Sequence, residues 1–109
     1  MTDIPVLPVA GLNIEEKNKE FLKSMMLNAM NGVVVPCNIE IIPDPTNPFD
    51  SNAIKILLNG TQIGFIAKVD QHNFDFNKFR YVASIVSWGV LKDGSVYMHL
   101  QPAIYSKIN

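Results

Sequence analysis

The sequence predicts a mainly β fold of the α+β class: a small six-stranded antiparallel barrel with one long helix after the first strand and a short second helix further on. Three observations carry this. Six short apolar stretches are separated by turn-forming residues, and two of the gaps, Asn59-Gly60 and Asp93-Gly94, are hairpin dipeptides. One segment, Asn13 to Asn31, repeats its apolar residues at steps of three and four. The length of 109 residues suits one domain with one core.

The elements follow in order. Val6 to Leu12 is apolar, too short for a helix, and reads as a strand; Pro8 cannot donate to a ladder and marks an edge or an irregularity. Asn13 to Asn31 reads as the helix. Asn13 with Glu16 resembles a capping box, and Glu15, Glu16 and Glu20 suit the positive end of the helix dipole. Phe21, Leu22, Met25, Met26, Ala29 and Met30 form its core-facing stripe, and Asn31-Gly32 is the stop. Val33 to Ile42 is expected as a second strand, with Val33, Val35, Cys37, Ile39 and Ile41 on a buried face. That placement makes Cys37 an inert buried thiol.

A loop from Pro43 to Asn52 leads to a strand at Ala53–Leu58 and, through Asn59-Gly60, to its return at Thr61–Ala67. Val69 to Lys78 is expected to be a short helix or turn with Phe74, Phe76 and Phe79 reaching inward. Strands at Tyr81–Leu91 and Ser95–Gln101 close the set, the last with Val96, Met98 and Leu100 on one face and Tyr97, His99 and Gln101 on the other. The domain is expected to span residues 6–103, with short tails at 1–5 and 104–109. Short strands with proline-marked edges fit a barrel of the OB or SH3-like kind, which manages its edges by closing.

Composition bounds the function. Apolar residues make up 48% and charged residues 17%, too apolar for disorder. A formal net charge of −1 excludes a strongly cationic nucleic-acid binder. The distribution is uneven: residues 1–60 hold four cations against seven acids, residues 61–109 five against three. A modest positive face in the second half is enough for a few phosphate contacts. One cysteine excludes an internal disulfide framework. There is no apolar run of about 18 residues, as a membrane span needs, and Met1-Thr2-Asp3 does not open a secretory signal. A reducing cytoplasm, or a nucleus, is therefore expected.

The least ordinary segment is Asp44-Pro45-Thr46-Asn47-Pro48-Phe49-Asp50-Ser51-Asn52-Ala53-Ile54. Its two prolines fix their own φ and restrict the residues before them, while Asn47, Asp50 and Asn52 suit side-chain turns. The result is a stiff loop. Taken alone, these residue types favour a plain strand connection in which Phe49 plugs the core and Asp50 caps a turn. The alternative is a receptor: a flat apolar ring beside an acceptor-only carboxylate, able to stack on a base or sugar while accepting a hydroxyl proton.

The segment resembles the signature of the HIRAN domain, which looks like D-x-x-N-P-[YF]-D-x-N-A-[IV]. Asp44, Asn47, Pro48, Phe49, Asp50, Asn52, Ala53 and Ile54 carry the likeness. Val9-Ala10-Gly11-Leu12 is similar to the family's opening strand, and Gln62-Ile63-Gly64-Phe65-Ile66 to the strand after its hairpin. The resemblance implies a modified OB-type barrel that binds DNA, in some members single-stranded DNA with a free 3′ hydroxyl. It also implies a setting in DNA repair, replication or mobile-element machinery, with a helicase-like ATPase or a nuclease as partner. By position, Asp50 would accept the terminal hydroxyl, Phe49 would pack on the terminal nucleotide, and Asn47 would bond sugar or phosphate. Gly64 would allow close backbone approach, or simply relieve crowding in a barrel strand. DNA-end-binding members carry an arginine and aromatics where this chain has Asn13, Ile14 and Glu15. That departure predicts weaker binding, since each lost stack costs about 1–3 kcal/mol. Phe65 offers a substitute surface, and Lys55, Lys68, Lys78 and Arg80 are the available phosphate contacts.

Other chemistries are less well supplied. His72, His99 and Cys37 lack metal-ligand spacing, so no metal and no other cofactor is expected. Pro43-Asp44 with Ala53-Ile54-Lys55 faintly resembles a nuclease pattern, but Ala53 stands where a carboxylate is needed. There is no glycine-rich phosphate loop, nucleophile elbow or Cys–His pair. The expectation is a DNA-binding module without enzymatic activity; the alternative is a protein-interaction or assembly module on the same barrel.

Overall fold

The computed structural model describes residues 3–108; Met1, Thr2 and Asn109, which belong to the expected tails, lie outside the described residues. The chain folds as β1 (Leu7–Ala10), α1 (Glu16–Met30), β2 (Ile39–Pro43), β3 (Ile54–Leu58), β4 (Thr61–Ile66), the 3₁₀ turn η1 (Lys68–Asn73), β5 (Phe79–Val90) and β6 (Val96–Lys107). The strands form a closed antiparallel barrel in the order β1-β4-β3-β2-β5-β6. The mainly β class, the six strands and the single long helix are as the sequence predicts.

Alternation builds the core. Ile54, Ile56 and Leu58 on β3, Ile63 and Ile66 on β4, and Val96, Met98 and Leu100 on β6 are buried, together with Leu22, Met25 and Met26 from α1. Each such side chain contributes about 1.5–3 kcal/mol on burial. The β3–β4 hairpin turns at Asn59 and Gly60, both at positive φ (52° and 84°), the conformation a two-residue hairpin of this hand demands. The second hairpin joins Val90 to Val96, where Asp93 accepts from the backbone and hydroxyl of Ser95. The two 12-residue strands β5 and β6, each about 40 Å long when extended, match the longest dimension of the molecule, 43 Å.

Four expectations are corrected. The second strand does not begin at Val33: β2 starts at Ile39, and Val33, Val34 and Cys37 are exposed. Pro36 has no N–H to give, and Asn59 takes over the segment, donating to the Pro36 carbonyl at 2.7 Å and accepting from Asn38 N–H at 2.8 Å. Cys37 is thus an exposed thiol, its pKa raised by partial desolvation. Asn13 is not the helix cap. Glu15 holds that position without a side-chain bond, while Asn13 pairs with both backbone groups of Val96 at 2.9 and 2.7 Å and ties the helix entry to β6.

The helix stripe also ends early, leaving Ala29 and Met30 exposed. Finally, β6 continues through Lys107, pairing with Phe79, into residues expected as a tail, and Ile4 from the other expected tail is buried. Pro8 does mark an irregularity: β1 pairs with β6 through Leu7 and Pro8, then with β4 through Val9 and Ala10. Among the described residues no helix is long and apolar enough to cross a membrane.

Candidate functional site

The loop between β2 and β3 is closed at its base by two backbone bonds, Asp44 N–H to the Ala53 carbonyl (2.8 Å) and Ala53 N–H to the Asp50 carbonyl (3.0 Å). Inside it, Asn47 is the brace. Its carbonyl oxygen accepts from the N–H groups of Phe49 (2.9 Å) and Asp50 (3.2 Å), and its amide donates to Asp44 at 3.2 Å. The loop is therefore stiff, as the prolines predict. Asn47 spends its acceptor on the loop itself and keeps one amide hydrogen for a ligand.

Phe49 is 96% exposed. It is not the core plug that residue types alone favoured. The two prolines and the Asn47 bonds hold the backbone in a shape that points the ring outward, and no packing compensates its hydration. Beside it, Asp50 accepts from Asn52 N–H at 2.9 Å through Oδ1 and from the Gln71 side-chain amide at 2.9 Å through Oδ2. One lone pair on each oxygen remains free. The Gln71 bond, the Asn52 bond and the nearby Lys68 charge lower its pKa from the ordinary 3.8. Asp50 thus caps a turn, and its carboxylate keeps acceptor positions that these two bonds do not use.

Lys68 opens η1, and its charge favours the Asp50 anion. Lys55 and Phe65 stand opposite each other on β3 and β4, both half-buried, and Phe65 also pairs with Ala10 of β1. Lys78 and Arg80 lie beyond η1, where two shallow depressions of about 360 and 520 Å³ meet at His72 and Phe74. The first is lined by Asn52 and Gln71, the second by Lys78; Arg80 donates to the Phe76 carbonyl at 3.2 Å. The two ion pairs among the described residues, Lys17–Glu15 and Lys19–Glu16, involve none of these four cations. So the structure joins Asp50 to Gln71 of η1 beside the exposed Phe49, sets Lys55 opposite Phe65 on the adjoining strands, and has Lys78 and Arg80 follow η1 in the chain.

Gln71 is the site residue that the sequence did not single out. The only hint is the polar run Asp70-Gln71-His72-Asn73 after an apolar strand, which any solvated turn would share.

Phe74, Phe76 and Phe79 pack against the core, whereas Tyr105 is exposed. Phe74 and Phe76 stack at 5.9 Å and 5°, both meeting the edge of buried Tyr81, whose hydroxyl accepts from Asp75 N–H. Gly64 serves the barrel: a Cβ there would stand 2.4 Å from the Ala10 carbonyl oxygen and 2.7 Å from Val9. His99 is half-buried and faces Ser87 at 3.1 Å. Among the described residues no three His, Cys, Asp or Glu side chains gather as a metal site would require. Comparison of the chain with protein-family models, with curated proteins and with solved structures finds no match.

Proposed function

We propose that this chain is a DNA-binding module of the HIRAN type, without enzymatic activity of its own, that receives single-stranded DNA at a free 3′ end. The observation that supports this best is Phe49: a large apolar ring, 96% exposed on a braced loop, beside a carboxylate with free acceptor sites. Packing has no use for such a ring, and a ligand with a flat face does. The terminal nucleotide stacks on Phe49 and its 3′ hydroxyl donates to Asp50. Lys68 sits where the adjoining phosphate runs, and Lys55 and Phe65 continue the track along β3 and β4. Lys78 and Arg80 supply weaker, more distant attraction. Any helicase, ATPase or nuclease activity belongs to a partner, in DNA repair, replication or mobile-element machinery, in the cytoplasm or a nucleus.

The test is fluorescence anisotropy at fixed low salt with strands ending in a 3′ hydroxyl or a 3′ phosphate. A hydrogen bond to a charged acceptor is worth about 1.5–3 kcal/mol, so the hydroxyl end should bind at least about tenfold tighter, and Asp50→Ala should erase the difference. Equal affinity for both ends in the unaltered protein would overturn end recognition. A second reading, an assembly module, is favoured by the exposed Leu27, Met30, Val33 and Val34 around the helix C-terminus. Concentration-dependent self-association with no measurable DNA binding would support it instead.

A further inference from the structure

The barrel leaves part of β5 without a neighbour on one side. β5 pairs with β2 only through Tyr81, Val82 and Ala83, whereas its pairing with β6 runs on to Val90. Residues 33–38, which precede β2, stay outside the ladder, and a groove of about 390 Å³ lined by Cys37 and residues 83–88 opens there. The other side of the same hairpin is closed: Asn13 bonds both backbone groups of Val96. Among the described residues, the backbone of residues 84–90 makes no hydrogen bond to any element but β6.

The register fixes which groups face the open side. Leu91 N–H bonds the Ser95 carbonyl, and Val96 turns its own N–H and C=O away from β5 to Asn13. Successive residues of a strand address opposite edges. Gly89 therefore addresses β6, while Trp88 and Val90, opposite Met98 and Val96, present their N–H and C=O outward. Natural sheets blunt such an edge with charge or proline; residues 84–90 contain neither. A bulge between Ile85 and Ser87 breaks the register, and from Ser87 to Val90 the ladder is regular. The result is a short, uncharged edge with a glycine between two outward-facing residues.

We propose that this edge pairs with the same edge of a second copy of the chain, antiparallel, about a two-fold axis at Gly89. The stretch is self-complementary. Trp88 of each copy meets Val90 of the other, and each such pair exchanges both of its backbone hydrogen bonds. Gly89 faces Gly89 as the closer, non-hydrogen-bonded pair, with Cα atoms about 4.5 Å apart. A larger residue has no room there, since a Cβ on Gly89 would already lie 2.7 Å from Tyr97 Cε1. Val90, 49% exposed, gains the Trp88 ring of the other copy, an aromatic–β-branched cross-strand pair of the favourable kind. A charged strand from another protein would meet no opposite charge on residues 84–90, whereas a second copy is as neutral as the edge it covers. The edge shares no residue with the β2–β3 loop, and the inference does not rest on DNA binding.

Sedimentation equilibrium of the full chain, from micromolar to millimolar protein and without DNA, tests this. A reversible monomer–dimer equilibrium is expected. Val90→Pro removes an outward N–H and leaves the bonds to β6 in place; Val90→Lys sets a charge on the edge. The symmetry applies each change twice, so each should weaken dimerisation at least about tenfold. Val34→Lys, at an exposed position outside the edge, should leave it unchanged. Amide hydrogen exchange of the unaltered chain supplies a second readout that needs no variant. The Trp88 and Val90 amides should slow as concentration rises, while Gly89, bonded to β6, stays slow throughout. A chain that remains monomeric at millimolar concentration overturns the proposal, whatever other protein it captures. Dimers that both Val90 variants leave intact, or that Val34→Lys dissolves, overturn it as well. Trp88 and Val90 amides equally slow at every concentration would do the same, by showing the edge covered within one chain.

Discussion

At the scale of single residues, Phe49 and Asp50 separate stability from binding. Phe49 makes no core contact to lose, so Phe49→Ala should leave the thermal midpoint unchanged, within the roughly ±0.5 kcal/mol typical of surface substitutions. The same change should weaken strand binding by about 1–3 kcal/mol, the value of one lost stack. Calorimetry beside anisotropy checks both; a variant that unfolds early would mean the ring packs after all. Asp50 adds a pH signature. Its folded pKa lies below the unfolded one, because Gln71, Asn52 and Lys68 all favour the anion. The stability it contributes is present above the unfolded value and is lost as pH falls through the folded value. The preference for a 3′ hydroxyl should therefore be flat from neutrality to about pH 5 and fade only below the ordinary aspartate range. Anisotropy across that range would show it; a titration near pH 6 would implicate a histidine instead.

At the scale of elements, the β1–β4 contact depends on Gly64, where the backbones approach too closely for any side chain. Gly64→Ala should destabilise the barrel by roughly 1–3 kcal/mol, the usual cost of overpacking, seen as a lower urea midpoint at unchanged slope. The strands that alternate cleanly, β3 with Ile54, Ile56 and Leu58 and β6 with Val96, Met98 and Leu100, were legible from sequence, as was the Asn59-Gly60 turn. The first half of the expected second strand was not. Val33, Val34 and Val35 have high β propensity, but Pro36 removes a ladder donor and the Asn59 side chain, over twenty residues away, satisfies the backbone instead. Asn13 fails as a cap for a similar reason: Val96, far along the chain, offers it two bonds. Both misreadings come from polar side chains serving distant backbone, which no local pattern encodes. In the loop, stiffness was legible from Pro45, Pro48 and Asn47, whereas the outward turn of Phe49 was not, because residue type alone favours burial. Gln71 reaches Asp50 only through the fold.

At the scale of the whole molecule, a closed barrel supplies a frame on which the β2–β3 loop and η1 meet through the Gln71–Asp50 bond beside Phe49. The net charge of −1 does not oppose this arrangement. Glu15 and Glu16 at the start of α1 are paired with Lys17 and Lys19, and the four cations near or beyond the loop are not engaged in ion pairs among the described residues. The exposed Val33 and Val34 lie outside the grouped site. Chemical-shift mapping with a short 3′-hydroxyl oligonucleotide asks the decisive question of the entire surface at once. The expected result is a contiguous set of shifts over Phe49–Asn52, Lys68–His72, Lys55 and Phe65. Shifts confined to Leu27–Val34, or none at saturating strand, would contradict a nucleotide receptor at the β2–β3 loop.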